Sequence, residues 1–204
     1  MSRSSRTLLI LAVIVGTTAA ALWIIGSQRT KHSTSILIKA SPERVFACLS
    51  DLELRKQWVE GLVKVTPVGD ITQGVGAKTK VTHRSESGRE YEFDNTVIRY
   101  DEHELLSIRQ TDSIRAITSI YRLEKKDDGN TYLTFVVRTA NIGLGRFVGP
   151  FLGNDIEDKL EVNSSKLKQL VESSSKDNLL NALAPESGST TTVASGSTQQ
   201  FSED

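Results

Sequence analysis

The spacing of apolar residues near the end of the chain predicts one long amphipathic helix. Five residues recur at steps of four, three, four and three, which places them on one face of a helix with 3.6 residues per turn: Ile156, Leu160, Asn163, Leu167 and Leu170. The residues between them are mainly charged and suit a face in contact with water. We expect the helix to begin at Asn154, which would form a capping box with Glu157, and to end at Glu172.

Upstream of this helix, apolar and polar residues alternate with a period of two, which is typical of strands. Tyr91, Phe93 and Val97, for example, fall on one side of one such segment. The predicted strands are residues 35–40, 62–67, 77–84, 91–100, 105–111, 115–125 and 131–138. A shorter helix interrupts them after the first strand, since Ser41-Pro42-Glu43 is a typical helix start. Short turns join the later strands, so we expect an antiparallel meander with one covered face.

An uncharged apolar run of 20 residues, Thr7 to Gly26, precedes these strands. It is long enough to cross the hydrocarbon core of a bilayer, and we interpret it as a single-pass transmembrane helix. A cleaved signal peptide is the alternative, because the alanines at 19–21 resemble a cleavage site. The apolar residues that follow them, with Trp23 near the far interface, favour an uncleaved anchor. The flanking basic residues favour a cytoplasmic N-terminus and an extracytoplasmic domain.

These patterns divide the chain into five parts. Residues 1–6 are a short N-terminal tail, residues 7–26 the transmembrane helix and residues 27–33 a polar linker. Residues 34–173 form the folded domain, which holds all the predicted strands. Residues 174–204 are rich in Ser, Thr and Gly and too poor in apolar residues to form a core, so we expect a disordered tail.

Composition and motifs exclude several kinds of chemistry. Lys+Arg and Asp+Glu number 25 each, so no basic field predicts nucleic-acid binding. Cys48 is the single cysteine, which excludes a disulfide, and its apolar surroundings predict a buried, inert thiol. His32, His83 and His103 lack metal-ligand spacing, and we expect each to be solvated. No Gly-x-Ser-x-Gly or dinucleotide fingerprint is present. We therefore predict no metal, no cofactor and no catalytic residue.

Three segments resemble a known family: ILIKASPERVFACLSDLELRKQWV, YRLEKKDDGNTYLTFVV and FLGNDIEDKLEVNSSKLKQLVE. Together with the element order, they resemble the START-like (SRPBCC) superfamily, in particular its polyketide cyclase/dehydrase and lipid-transport branch. The matching positions are Ala40, Ser41, Pro42, Glu43, Phe46 and Trp58. The resemblance implies an α+β helix-grip fold, in which a curved seven-stranded antiparallel sheet wraps around the long C-terminal helix. It also implies a hydrophobic cavity between sheet and helix.

The ligand-binding candidates are the residues expected to face that cavity. They are Tyr91, Phe93, Asn95, Val97, Leu106, Ile108, Gln110, Ser119, Tyr121, Phe135, Ile156, Leu160, Asn163 and Leu167. Large apolar residues in phase on a sheet also simply fill a core, and this alternative applies to each apolar candidate. Four polar candidates, Asn95, Gln110, Ser119 and Asn163, could orient a ligand. Asn163 could equally lie at the wet rim of its helix.

Three functions remain open from the sequence. The first is a membrane-anchored domain that binds a hydrophobic or amphipathic small molecule, such as a lipid, in the cavity. The second is a cyclase/dehydrase-like enzyme that acts by proton transfer, although amides such as Asn95 and Gln110 cannot act as general bases. The third is a domain with a filled core that acts through a protein partner. The absence of a catalytic constellation favours the binding domain over the enzyme.

Overall fold

The computed structural model describes residues 3–151 and 156–173, and every structural statement below concerns these residues. Their elements are, in order, α1 (Arg3–Gly26), β1 (Arg29–Ile38), α2 (Pro42–Ser50), α3 (Leu52–Trp58), β2 (Leu62–Val68), β3 (Lys78–Arg84), β4 (Glu90–Asp101), β5 (Leu105–Thr111), β6 (Arg115–Lys125), β7 (Thr131–Asn141), α4 (Gly145–Val148), a 3-10 turn (Gly149–Phe151) and α5 (Ile156–Ser173).

The strands form one seven-stranded antiparallel sheet in the order β1-β7-β6-β5-β4-β3-β2. Strands β2 to β7 are each paired with their neighbours in sequence, because short turns favour such pairing. The first strand lies beside the last, so β1 pairs with β7. Helix α5 packs against β1 and β7 and also contacts α2 and α3. The predicted α+β helix-grip architecture is therefore confirmed.

Strand β1 begins earlier than its side chains suggest. The sequence places residues 27–33 in a linker, whereas β1 starts at Arg29, opposite Ala140 of β7. Backbone hydrogen bonds to β7 hold this segment, and they do not require apolar side chains. Its alternating exposure shows that it is an edge strand with one wet side. Only Ser27 and Gln28 therefore separate α1 from the sheet.

Helix α4 and the 3-10 turn, between β7 and α5, were not predicted. Helix α4 spans four residues, Gly145 to Val148, which is too short for an amphipathic period to be visible in the sequence. The predicted start of the last helix at Asn154, its capping box with Glu157 and the predicted disordered tail at residues 174–204 involve positions outside the described residues.

Helix α1 carries Arg3 and Arg6 in its first turn and is uncharged from Thr7 to Gly26, and an 18-residue window within Ser5–Gly26 has a mean hydropathy of 2.6. Its length and composition fit a membrane span, and they equally fit a signal sequence at the N-terminus. Its last turn contacts α4, so the helix meets the domain at a defined place.

The core lies between the sheet and helices α2, α3 and α5. Leu160 and Leu167 of α5 are buried there, as predicted, and the next fully buried apolar residue is Val171, whereas the predicted Leu170 is half-buried. The Trp58 Nε1–H of α3 donates a hydrogen bond of 3.0 Å to the Cys48 carbonyl of α2, which ties these two helices together. Burial raises the pKa of the Cys48 thiol to about 11, so the group is a neutral thiol at pH 7.

We predict that the buried face of α5 contributes strongly to stability. Leu167 is 1% exposed, so Leu167→Ala leaves a cavity and should lower the free energy of unfolding by about 2–5 kcal/mol. Val162 lies on the same helix but is 37% exposed, and Val162→Ala should change that free energy by less than about 0.5 kcal/mol. Urea denaturation of the full chain in detergent, followed by tryptophan fluorescence, measures both. Equal effects would contradict this assignment of the buried face.

Candidate functional site

The strand candidates share one side of the sheet, the side that faces α2, α3 and α5, which we call the inner face. Directly paired residues of antiparallel strands point to the same side. The register pairs Asn95 with Gln110 and Val97 with Ile108. It continues through the pairs Leu106–Tyr121, Ile108–Ser119 and Tyr121–Phe135. The alternation in the sequence thus identified one face correctly across four strands.

Part of this inner face is core. Leu106, Ile108, Tyr121 and Phe135 are all buried. The Tyr121 and Phe135 rings stack with centroids 4.4 Å apart, and Trp58 meets Tyr121 edge-on at 6.0 Å. This aromatic cluster joins β6 and β7 to α3. For Tyr121 and Phe135 the structure therefore shows a packing role, whereas Leu106 and Ile108 are buried and also line a small cavity.

The candidates on α5 also have structural partners. Leu160 and Leu167 are buried in the core, and Ile156 is half-buried at the start of the helix. The Asn163 Oδ1 accepts a hydrogen bond of 2.8 Å from the Glu60 backbone N–H. That bond fixes α5 to the connection between α3 and β2. An amide on an apolar helical face needs a hydrogen-bond partner, and here the protein backbone provides it.

Another part of the inner face is only partly covered. Five inner-face residues of β4, β5 and β6 retain intermediate exposure, and we call them the open patch: Phe93, Val97, Gln110, Ile117 and Ser119. The sheet contacts of α5 are mainly with β1 and β7, to one side of these residues. Tyr91, the remaining strand candidate, is exposed at the end of β4, beyond the patch. The open patch combines apolar side chains with an amide and a hydroxyl, as ligand sites do.

A small, partly open cavity adjoins the open patch, between α2–α3 and strands β3 to β5. Its volume is about 40 Å³, which is room for a few water molecules. Val97, Asn95 and Arg55 are among its lining residues. A drug-sized ligand needs a few hundred cubic ångström, so such a ligand would have to lie on the open patch and only reach into the cavity.

A larger groove of about 500 Å³ lies elsewhere, around the turn between β4 and β5. Arg99, Asp101, His103 and Lys125 are among the residues that line it. Arg99 and Asp101 form an ion pair with each other at 2.9 Å. The groove is charged and lies at the opposite end of the strands from the β5–β6 turn, so it is separate from the predicted site.

Arg55 was missed by the sequence reasoning, and it is the most unusual residue of the site. It is 9% exposed and its Nε has no hydrogen-bond partner. Within residues 3–151 and 156–173, no carboxylate lies within ion-pair distance of its guanidinium. Desolvation lowers its pKa. One signal was available: Arg55 precedes the motif residue Trp58 by three positions and so shares its buried helical side.

Asn95 lies in the same cavity wall with an unsatisfied group of its own. It is 4% exposed, and its Oδ1 has no hydrogen-bond partner among the described residues. A buried polar atom without a partner costs stability unless water or a ligand supplies one. The site therefore contains a cationic and an amide group whose hydrogen-bonding capacity is unused.

Two titratable groups lie near this guanidinium. Burial raises the pKa of Tyr121, while the positive charge of Arg55 and a hydrogen bond with Ser119 oppose the rise. His83, expected to be solvated, is instead half-buried on the inner face with its ring edge-on to Phe93 at 5.7 Å. Burial is the main cause that lowers the pKa of His83, and Arg55 adds to the effect. At neutral pH both side chains are therefore uncharged, and Arg55 provides the charge.

The end of α1 packs beside the end of the sheet where β7 ends and β6 starts. The Trp23 ring lies 5.3 Å from the Phe147 ring, and the Arg146 guanidinium lies 4.6 Å from the Trp23 centroid. The Asn141 Nδ2–H donates to the Gly26 carbonyl at 3.2 Å. Because β7 ends at Asn141 opposite the start of β6, this contact is near Ile117 of the open patch.

Comparison with known proteins agrees with this architecture. Residues 29–172 match the family described as "Polyketide cyclase / dehydrase and lipid transport". The chain therefore belongs to that family, and the resemblance stated from its motifs is confirmed. A search of curated protein sequences found no match.

Solved structures with low sequence identity share the fold. Ara h 8.0201 superimposes with a TM-score of 0.55 at 16% identity, covering 76% of this chain and 99% of its own. The protein TTHA0849 from Thermus thermophilus gives 0.55 at 12% identity, covering 76% and 100%. CV1439 from Chromobacterium violaceum gives 0.54 at 17% identity, covering 71% and 99%.

We predict that His83 stays neutral to a lower pH in the folded protein than in the unfolded chain. Its reference pKa is 6.5, and burial lowers the folded value. Folding stability contributed by the neutral imidazole is thus present above pH 6.5 and decreases as the pH falls below it. NMR titration of His83, with the urea-unfolded chain as control, measures the difference. Equal pKa values in the two states would contradict the buried placement.

Proposed function

We propose that this domain binds a hydrophobic or amphipathic small molecule, such as a lipid, on the inner face of its sheet, and that α1 anchors it in a membrane. The observation that carries the proposal is the open patch, where Phe93, Val97 and Ile117 remain partly exposed on a face that is otherwise core. Removing such apolar area from water is worth about 25 cal/mol per Å². Membership of a family described by lipid transport supports the same class of ligand.

The geometry sets how such a ligand would lie. The small cavity of about 40 Å³ has room for a few atoms only. An extended molecule would therefore place its apolar part along Val97 and Ile117, and one end against Asn95 and Arg55. The wall provides a few convergent polar groups beside a larger apolar surface, which is the usual composition of a small-molecule site.

Anchoring by α1 would place the open patch close to the bilayer. Only Ser27 and Gln28 separate the apolar helix from β1, and the last turn of α1 packs against α4. Leu144, at the start of α4, is 76% exposed and lies beside this contact. A ligand dissolved in the membrane would then reach Ile117 over a short distance.

The enzyme hypothesis has weaker support. His83 is a neutral imidazole on the inner face and could accept a proton. Proton transfer of the cyclase/dehydrase kind also needs a second positioned acid or base. Among the described residues, the buried polar and charged side chains include neither Asp nor Glu. We therefore favour binding over catalysis.

The ligand proposal predicts that a charge on the open patch removes the bound molecule. Ile117→Glu places a carboxylate on the partly exposed inner face and should lower the recovery of co-purified small molecules at least tenfold. Ile120→Glu is the matched control, since Ile120 lies on the same strand with similar exposure but on the outer face. Native mass spectrometry of protein purified in mild detergent measures the recovery. Equal recovery from both variants would contradict the proposed site.

The anchoring proposal predicts that α4 lies at the membrane surface. A Cβ added to Gly26 would collide with the Arg146 carbonyl oxygen, so Gly26→Ala should detach α1 from α4. Gly16→Ala is the control, because nothing lies within 4 Å of its Cβ position. An environment-sensitive dye on Leu144→Cys, in a Cys48→Ala background in vesicles, should emit at shorter wavelength than the same dye on Asp127→Cys.

Gly26→Ala should remove most of that wavelength difference, and Gly16→Ala should preserve it. Residue 127 is a suitable reference because it lies in the turn between β6 and β7, at the end of the sheet away from α4. Identical emission from positions 144 and 127 in the unaltered background would rule out a membrane-facing α4.

A further inference from the structure

The guanidinium of Arg55 is a buried charge without a counter-charge in the described protein. Transfer of an ionised group out of water is costly unless it is paired. Helix α3 fixes the residue in place, because its neighbours Leu54 and Trp58 are also buried. The side chain lines the small cavity, with its Nε unpaired.

We infer that Arg55 and Asn95 form the head-group end of the ligand site and select an amphiphile that carries a carboxylate. This inference rests on the proposed function, since it assumes that the apolar part of the molecule occupies the open patch. The planar guanidinium donates parallel N–H bonds that match the two oxygens of a carboxylate. The ligand would supply the missing counter-charge in a place that excludes water.

The size of the cavity favours a carboxylate over a larger anionic group. About 40 Å³ admits a compact planar group at the end of a chain. A phosphodiester is bulkier and carries substituents on both sides, so it suits this volume less well. Asn95 supplies a second polar contact when its side-chain amide is rotated by 180°, because the unpartnered Oδ1 is an acceptor and only the Nδ2–H can donate to a carboxylate oxygen.

The surrounding groups do not compete for the guanidinium. Tyr121 and His83, its titratable neighbours, are neutral at pH 7 because burial raises the pKa of the former and lowers that of the latter. Asp51 caps the N-terminus of α3 through the Leu54 N–H at 2.7 Å. Glu60, two residues after Trp58, forms its ion pair with Lys166. The charge of Arg55 is thus available to a ligand.

The test compares dodecanoate with dodecanol, two probes with the same chain length. The full chain in nanodiscs, with empty nanodiscs as blank, should bind dodecanoate about ten- to hundredfold more tightly than dodecanol. Arg55→Met should reduce this preference to about onefold, because it removes the guanidinium that pairs with the carboxylate. Arg55→Lys keeps the positive charge but lacks the parallel N–H donors of the guanidinium, so it should retain part of the preference. It also provides the comparison if Arg55→Met does not fold.

Arg44→Met is the matched control. Arg44 is a half-buried arginine of the neighbouring α2 with unpaired nitrogens, but it does not line the cavity, so its replacement should leave the preference intact. An independent readout is the melting temperature without ligand, which Arg55→Met should raise because it removes an unpaired buried charge.

The possible results of the binding comparison separate the carboxylate inference from the proposed function. Equal binding of the two probes by the unaltered protein, or an unchanged preference in Arg55→Met, would overturn the carboxylate inference while the open-patch proposal stands. If neither probe binds above the empty-nanodisc blank, both the inference and the proposed function fail.

Discussion

The sheet is wider than the single helix that packs across it, and this constraint governs the rest of the molecule. Seven strands span six spacings of about 4.8 Å, so the sheet is roughly 29 Å wide, whereas a helix covers about 10 Å. Helix α5 covers β1 and β7, and the pair α2–α3 covers a second region. Curvature of the sheet reduces the difference without removing it. The inner side of β4, β5 and β6 is therefore left partly in contact with water.

This uncovered region explains why polar groups accumulate where a filled core would have none. Gln110 and Ser119 lie among the apolar side chains of the open patch, and Asn95 and Arg55 border it in the small cavity. In a protein selected only for stability, replacing Arg55 by an apolar residue would be neutral or favourable. An unpaired charge that persists in such a place is more readily explained by a molecule that binds there than by folding.

The sequence predicted the sheet well because each strand has one covered face, and the alternation that results is local information. Six of the seven predicted strands, 105–111 among them, begin within one residue of their observed start. It could not predict that β1 starts at Arg29, because that half of the strand is held by backbone bonds to β7. Helix α4 is too short to have a period. The start of β1 and the presence of α4 both depend on contacts between residues that are far apart in the sequence.

For the site, alternation identified the face but could not separate core from open surface. Tyr121 and Phe135 proved to be a stacked pair in the core, whereas Phe93 and Val97 stay partly exposed. Which of these residues are covered depends on where α5 lies across the sheet, and the residue pattern within a strand does not contain that information. Arg55 was missed because a charged residue on a short helix is normally solvated. Its burial depends on α3 packing against the sheet, which is a tertiary contact.

The central claim is that the inner face of the sheet, and not its outer face or α1, holds the small molecule. A crystal structure with a long-chain fatty acid that carries bromine at its far end tests this most directly, because anomalous scattering locates bromine without a model of the ligand. We expect the bromine beside Ile117, with the chain leading past Val97 to Arg55. Bromine found only along α1, or on the outer face near Ile120, would contradict the account.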